Sequence, residues 1–132
     1  MTDRYAVHGA QGEYQPGSND VVLANKPGIQ SVEDMDELEL ELLQRLYEDV
    51  LMEHLPNRAL TAEDLKTWHR RWLGNVFAWA GQERSVNMGK DGFMFAASAQ
   101  IPRLLVEFER TCLARWTPCY GMDTDALVEA IA

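Results

Sequence analysis

Residues 77–96 read FAWAGQERSVNMGKDGFMFA, and the interpretation of the whole chain depends on this stretch. It begins as the end of a helix, stops at Gly81, and continues as two short alternating runs around the turn GKDG at 89–92. The runs 85–88 and 93–95 predict the strands of a β-hairpin, because glycines at the turn adopt positive φ freely. An isolated hairpin is marginal in water, so we expect it to rest on helices with one backbone edge exposed.

The rest of the chain is predicted to be mainly helical. Four helices are indicated by a capping side chain ahead of apolar residues at helical spacing, with the caps at Ser31, Thr61, Ser98 and Asp123 or Thr124. The second helix carries a broad aromatic face, so we expect it to be central. It is predicted to run through Gly74, at a close helix crossing, and to end at Gly81.

Two regions are distinguished by their composition. Residues 1–30 are rich in Gly, Pro, Asn and Asp and predict an extended arm on the surface, held by the apolar residues 21–23. Residues 31–132 form the predicted helical domain. Apolar periodicity is still running at Ala132, so we expect this chain to be part of a longer protein.

Composition excludes several classes of partner. The chain has 132 residues, a formal net charge of −9 and a pI of about 4.7. This balance argues against nucleic-acid or membrane binding, which needs clustered Lys and Arg. No signal peptide or apolar span is evident, and two cysteines, Cys112 and Cys119, fit reduced thiols in a cytoplasmic protein.

No complete catalytic or metal site is predicted from the residues alone. The three histidines share no metal-ligand spacing, and the turn GKDG lacks the Ser or Thr of a phosphate-binding loop. His69 is interpreted as a histidine hydrogen-bonded between helices rather than a general base, and Cys112 as a core residue. The exposed hairpin edge is compatible with β-augmentation by another chain and equally with a purely structural cover.

The chain resembles the Fic (Fic/Doc) domain family over about residues 14–101. The resemblance is carried by V-L-A-N-K-P-G-I at 22–29, the pair His69-Arg70, W-A-G at 79–81, and the hairpin residues Arg84, Lys90, Phe93 and Phe95. It implies a helical bundle with one small hairpin, called the flap. It also implies transfer of AMP from ATP to a hydroxyl of a target protein, with Mg²⁺ as a cofactor.

In that family the flap binds the target backbone as an added strand, so the resemblance implies a protein substrate as partner. The flap residues implied here are Ser85, Val86, Asn87, Met88, Lys90, Phe93 and Phe95. Trp72, Trp79 and Arg84 are expected to be structural supports.

The signature of the family, H-P-F-x-[D/E]-G-N-G-R, does not occur in this chain, so the resemblance implies a domain truncated before its catalytic loop. We therefore expect no AMP transfer by this chain alone, and no catalytic residue is assigned. No [S/T]-x-x-x-E-[G/N] inhibitory pattern occurs either, so any restraint is expected from a further helix or from a separate small antitoxin. The alternatives are a non-catalytic partner-binding module of toxin–antitoxin type and a Fic-fold enzyme with another phospho-transfer. The oligomeric state is not predicted.

Overall fold

The computed structural model describes residues 6–7, 10–119 and 121–132, and it confirms a mainly helical chain with one small sheet. The helices are α1 (Val32–Tyr47), α2 (Ala62–Leu73), α3 (Ile101–Phe108), the single turn α4 (Ala114–Trp116) and α5 (Thr124–Ile131). Wider π-helical turns follow α1 at Glu48–Glu53 and join α3 to α4 at Glu109–Leu113. The strands are β1 (Ala6–Val7), β2 (Met88–Lys90) and β3 (Phe93–Met94).

Three of the four predicted caps are present. The Ser31 hydroxyl accepts a hydrogen bond from the Asp34 amide at 3.1 Å, and the Asp123 carboxylate accepts one from the Ala126 amide at 2.8 Å. Thr61 and Asp64 form a full capping box, with each side chain accepting from the other residue's amide. These starts were predictable because a cap is a contact between residues three positions apart.

The third cap was predicted wrongly. The segment Ser98–Gln100 is a 3₁₀ turn that precedes α3, and no side chain caps it. The Ser98 amide instead donates to the side-chain oxygen of Asn87 at 2.9 Å, which fixes this turn to the hairpin. Pro102 lies in the first turn of α3, where its missing N–H costs no helical hydrogen bond.

The second helix is shorter than predicted. It ends at Leu73 with Gly74 as its C-terminal cap, so the expectation of a glycine at a helix crossing is wrong. Residues 74–81 form successive turns, and they place Val76, Phe77 and Ala80 in the core at 1%, 5% and 5% exposure. The apolar spacing that predicted a longer helix is therefore satisfied by buried turns.

Gly81 has a positive φ, at +83°. A side chain there would also collide with α2, because a Cβ atom would lie 2.7 Å from the Cβ of Arg70 and 2.9 Å from the carbonyl oxygen of Lys66. Gly81 therefore lets the chain turn back against α2 before it enters the hairpin.

The described part of the arm contributes to the core rather than only covering it. Val22 is 4% exposed and packs with Met35 of α1 and Leu73 of α2. Lys26 is attached to the turn after α2, since its amide donates to the Val76 carbonyl and its Nζ to the Gly74 carbonyl, both at 2.7 Å. The rest of the predicted arm, residues 1–5 and 8–9, lies outside the described residues.

Several apolar side chains are exposed on the later helices. Val106 of α3 is 69% exposed, and Val128 and Ile131 of α5 are 62% and 76% exposed.

Cys112, predicted as a core residue, is only partly buried, and both Cys112 and Cys119 are free thiols. Within the described residues, no helix has both the length and the apolar character needed to cross a bilayer.

Candidate functional site: the hairpin and the adjoining cavity

The predicted hairpin is present, but its first strand is Met88–Lys90 rather than 85–88, and its turn is tighter than predicted. Its two turn residues are Asp91 and Gly92, with φ of 52° and 79°, which is the type I′ pattern that matches the twist of the strands. Gly89 and Lys90 belong to β2 and pair with Met94 and Phe93. The predicted turn at 89–92 was therefore too long by two residues, because Asp-Gly alone makes the reversal.

Arg84 holds the two arms of the hairpin together at their base. Its guanidinium donates to the Val86 carbonyl at 2.8 Å and also to the Ala96 carbonyl across the hairpin. A planar guanidinium suits this task because it donates in two directions from a fixed geometry. These contacts agree with a supporting role for Arg84.

The second arm is rich in exposed apolar side chains. Phe93 is 68% exposed, Met94 is 61% exposed and Phe95 is 37% exposed, and the rings of Phe93 and Phe95 lie 6.0 Å apart. Contiguous exposed apolar residues mark a contact surface for a macromolecule more often than isolated ones do. Lys90, also predicted to belong to the site, is exposed at the end of β2.

The hairpin is part of a three-stranded antiparallel sheet, so the expectation of an isolated hairpin is wrong. Ala6 pairs with Gly89 and Val7 pairs with Met88, which places β1 along the edge of β2. The next contact along this edge comes from the Gln11 side chain, whose Oε1 accepts from the Ser85 amide at 2.7 Å. The predicted docking backbone, Ser85 to Met88, is therefore bordered by the chain's own amino-terminal segment.

A cavity of about 380 Å³ adjoins the hairpin. Met88 and Arg84 border it on the hairpin side, and Trp72, Trp79 and Phe77 supply aromatic walls. Tyr14, Glu39 and Gln82 add polar groups that the sequence did not single out, since they come from three separate segments. The space suits an apolar or aromatic group.

His69 forms part of this cavity wall as a half-buried, neutral ring. Its Nδ1 accepts a hydrogen bond from the Gly81 amide at 2.8 Å, and the ring stacks at 6.2 Å on Trp79 and meets Trp72 edge-on at 6.0 Å. Burial lowers the pKa of His69, because the protonated ring would lose solvation. The prediction of a structural histidine agrees with this geometry, but its partner is a turn amide rather than a second helix.

Comparison with known proteins agrees with the resemblance in the sequence. The chain is 31% identical over 88 residues to a protein named "Probable protein adenylyltransferase y4lH" from Sinorhizobium fredii. The N-terminal Fic domain of a VirB-translocated effector from Bartonella sp. AR 15-3 superposes with a TM-score of 0.71 at 24% identity, covering 92% of this chain. The FIC domain of Bep8 from Bartonella sp. 1-1C gives 0.69 at 19% identity, again over 92% of this chain.

The resemblance to the Fic-domain family is confirmed, and the chain has the fold of a Fic domain. It spans 43% of the Sinorhizobium protein and 60% and 62% of the two Bartonella structures. A scan against models of known protein families gave no match.

Asn25, from the motif at 22–29, and Trp72, an expected structural support, both have structural partners. Asn25 closes the loop of the arm, since its side chain accepts from the Ile29 amide at 2.7 Å and donates to the carbonyls of Leu23 and Ile29. Trp72 ties α2 to α1 through a hydrogen bond from Nε1 to the Glu39 carbonyl at 2.9 Å. Much of the resemblance is therefore explained by folding.

One group of metal-ligating side chains among the described residues can be compared with the needs of Mg²⁺. Asp49, Glu53 and His54 lie close enough together that their side chains could contact one metal ion. Arg71 already contacts the Asp49 carboxylate, and the His54 ring lies 3.0 Å from its other oxygen. Mg²⁺ prefers oxygen ligands and retained waters, so a carboxylate paired with Arg and His is a poor ligand set.

Proposed function

We propose that this chain supplies the target-docking part of a Fic-type protein adenylyltransferase, which transfers AMP from ATP to a hydroxyl of a target protein. The observation that carries the proposal is the hairpin, which has an exposed apolar arm and borders an aromatic cavity through Arg84 and Met88. An extended segment of the target would add to the sheet through main-chain hydrogen bonds and place a side chain against the cavity.

In this proposal the residues of the chain bind and orient the protein substrate. Phe93 and Phe95 offer apolar contact area, while β2 and the preceding residues offer backbone groups. ATP and Mg²⁺ are cofactors of the proposed activity, and they would be held by the signature H-P-F-x-[D/E]-G-N-G-R, which this chain does not contain. We therefore expect the chain alone to bind its target without modifying it.

A non-catalytic binding module is the second candidate function, and the exposed apolar arm of the hairpin supports it as well. Such a module would use the same hairpin to hold a partner protein, including a small antitoxin. Another phospho-transfer on the same fold stays a prediction of the resemblance. A cytoplasmic location also stays a proposal, in keeping with the free thiols.

The docking role is tested by comparing two apolar side chains of matched exposure. Phe93 is 68% exposed on the hairpin, and Val106 is 69% exposed on α3. Immobilised wild-type chain and the variants Phe93→Ser and Val106→Ser would be incubated with host lysate, and retained proteins quantified by mass spectrometry. We expect at least one protein to be retained by wild type and Val106→Ser and lost with Phe93→Ser.

The same retained proteins would then be incubated with the chain, Mg²⁺ and ATP labelled in its α-phosphate. No label is expected on any of them. Identical retention by both variants would contradict docking at the hairpin, and ATP-dependent labelling by the chain alone would contradict the division of roles.

A further inference from the structure

We infer that β1 is a removable occupant of the β2 edge, and that an extended segment of a target protein replaces it when the target binds. The inference rests on the proposed function, because it assigns the docking edge and a competitor for it within the same chain. The segment that the target would displace is Ala6–Val7, which is anchored by the side chain of Gln11.

The hydrogen-bonding directions of the sheet identify the contested groups. The Met88 carbonyl accepts from the Phe95 amide at 2.9 Å, so the backbone groups of Met88 point toward β3. Successive residues of a strand turn their backbone groups to opposite sides, so those of Gly89 point toward β1. The register pairs Gly89 with Ala6, which makes Ala6 the residue that satisfies them.

β1 contacts only a short stretch of this edge. The strand has two residues, and the described contact beyond it is the bond from the Ser85 amide to the Gln11 side chain. An incoming strand that ran along the whole edge from Ser85 to Lys90 would make more main-chain bonds than β1 does. A longer strand from a target therefore has an advantage in contacts, while β1 has the advantage of being tethered.

The position of the cavity favours the β2 edge over the opposite edge of the sheet. Met88 of β2 borders the cavity, whereas neither residue of β3 lines it. A strand that replaces β1 therefore pairs with β2, which adjoins the aromatic walls of the cavity. A strand added at β3 would pair with the outward backbone groups of Met94 and lie one strand farther from the cavity.

Because β1 is tethered to the same chain, its effective concentration determines how strongly it competes with an external strand for the β2 edge. A short flexible connection gives an attached strand an effective concentration in the millimolar range. Wild-type protein should therefore bind an external strand weakly, and weakening β1 should strengthen that binding. The regulatory consequence is that the chain selects against segments that cannot outcompete its own amino terminus.

The test uses the full chain and a fluorescein-labelled synthetic peptide with the sequence of residues 2–11, TDRYAVHGAQ. The double variant Ala6→Pro, Gln11→Ala lacks the amide that pairs with Gly89 and the side chain that holds Ser85. We expect this variant to bind the peptide about tenfold more tightly than wild type, because the intramolecular strand that competes with the peptide has been weakened. Gln100→Ala, an exposed glutamine that contacts Arg103, is the matched control and should bind like wild type.

Amide hydrogen exchange shows which edge is used. The Gly89 amide should be protected in wild type, exchange faster in the double variant, and regain protection when the peptide binds. The Phe95 amide should stay protected throughout, which shows that the hairpin itself persists. Equal peptide affinity in wild type and the double variant, or peptide-induced protection at Met94 instead of Gly89, would overturn the inference.

This outcome is separable from that of the proposed function. The peptide experiment needs no ATP, no target protein and no signature residues. Exchange of β1 for the peptide would stand even if no AMP transfer were ever found, and AMP transfer would stand if β1 proved irreplaceable.

Discussion

The Nδ1 atom of His69 accepts a hydrogen bond from the backbone amide of Gly81 at 2.8 Å, and this contact joins α2 to the entrance of the hairpin. Gly81 reaches this position because it takes a φ of +83° and has no side chain to collide with Arg70. The orientation of the hairpin against the helices thus depends on a neutral histidine.

Stability should therefore depend on pH through His69. Its pKa is lowered by burial from the ordinary 6.5, so the unfolded chain binds a proton more readily than the folded chain does. The contribution of the neutral ring is complete above about pH 6.5 and is lost as the pH falls from there toward the lowered pKa. The prediction is a lower urea midpoint at pH 5 than at pH 7.5.

The variant His69→Asn isolates this effect, because the Asn oxygen reproduces the acceptor but does not titrate. The difference in midpoint between pH 5 and pH 7.5 should shrink in this variant. The exposed His54→Asn is the control and should keep the wild-type difference. If both variants keep the full difference, His69 is not the titrating group.

A second pH dependence is expected in the acid range from the pair Arg58 and Asp64. Two hydrogen bonds of 2.6 and 2.7 Å join the guanidinium to the carboxylate. The hydrogen bonding with Arg58 is the main cause that lowers the pKa of Asp64 from 3.8 to about 2. Because the pKa is lowered on folding, the stabilisation is present above about pH 3.8 and is lost as the pH falls through 2.

Asp64→Asn should be destabilising at neutral pH, and the gap from wild type should close as the pH falls from 4 toward 2. Thermal unfolding followed by circular dichroism at several pH values measures this gap. Asp125→Asn, in the first turn of α5, is the control for a helix-start carboxylate without an Arg partner in this part of the structure. A gap that stays constant with pH would contradict the assigned coupling.

Arg84 gives a prediction about the hairpin alone. Arg84→Lys keeps the charge but cannot reach the Val86 and Ala96 carbonyls together, so the base of the hairpin should open. Hydrogen bonds to charged groups contribute roughly 1.5 to 3 kcal/mol each, so protection of the Phe95 amide should fall by at least about tenfold. Arg103→Lys on α3, where the pair with Glu107 is exposed, should leave this amide unchanged.

Local signals explain what the sequence predicted correctly. The caps at Ser31, Thr61 and Asp123 and the reversal at Asp91-Gly92 each depend on residues within a few positions of one another. The fold followed from the family resemblance, since motif residues such as Asn25 and His69 are placed by the contacts that build it.

The errors arose where distant segments meet. The pairing of Ala6 with Gly89 joins residues far apart in the chain, and a two-residue strand leaves no alternation to detect. The turns at 74–81 imitate helical spacing because Val76, Phe77 and Ala80 all face the core. The cavity was missed for the same reason, since Tyr14, Glu39 and Gln82 converge only in three dimensions.

The most direct test of the central claim is AMP transfer with and without the signature. The chain alone would be compared with the chain extended at its carboxyl end by a segment carrying H-P-F-x-[D/E]-G-N-G-R from another Fic-domain protein, using the proteins retained in the lysate experiment and ATP labelled in its α-phosphate. We predict no label with the chain alone, label with the folded, ATP-binding extended chain, and loss of that label with Phe93→Ser but not with Val106→Ser. Label transferred by the chain alone, or equal transfer by the extended chain and its Phe93→Ser variant, would contradict the account.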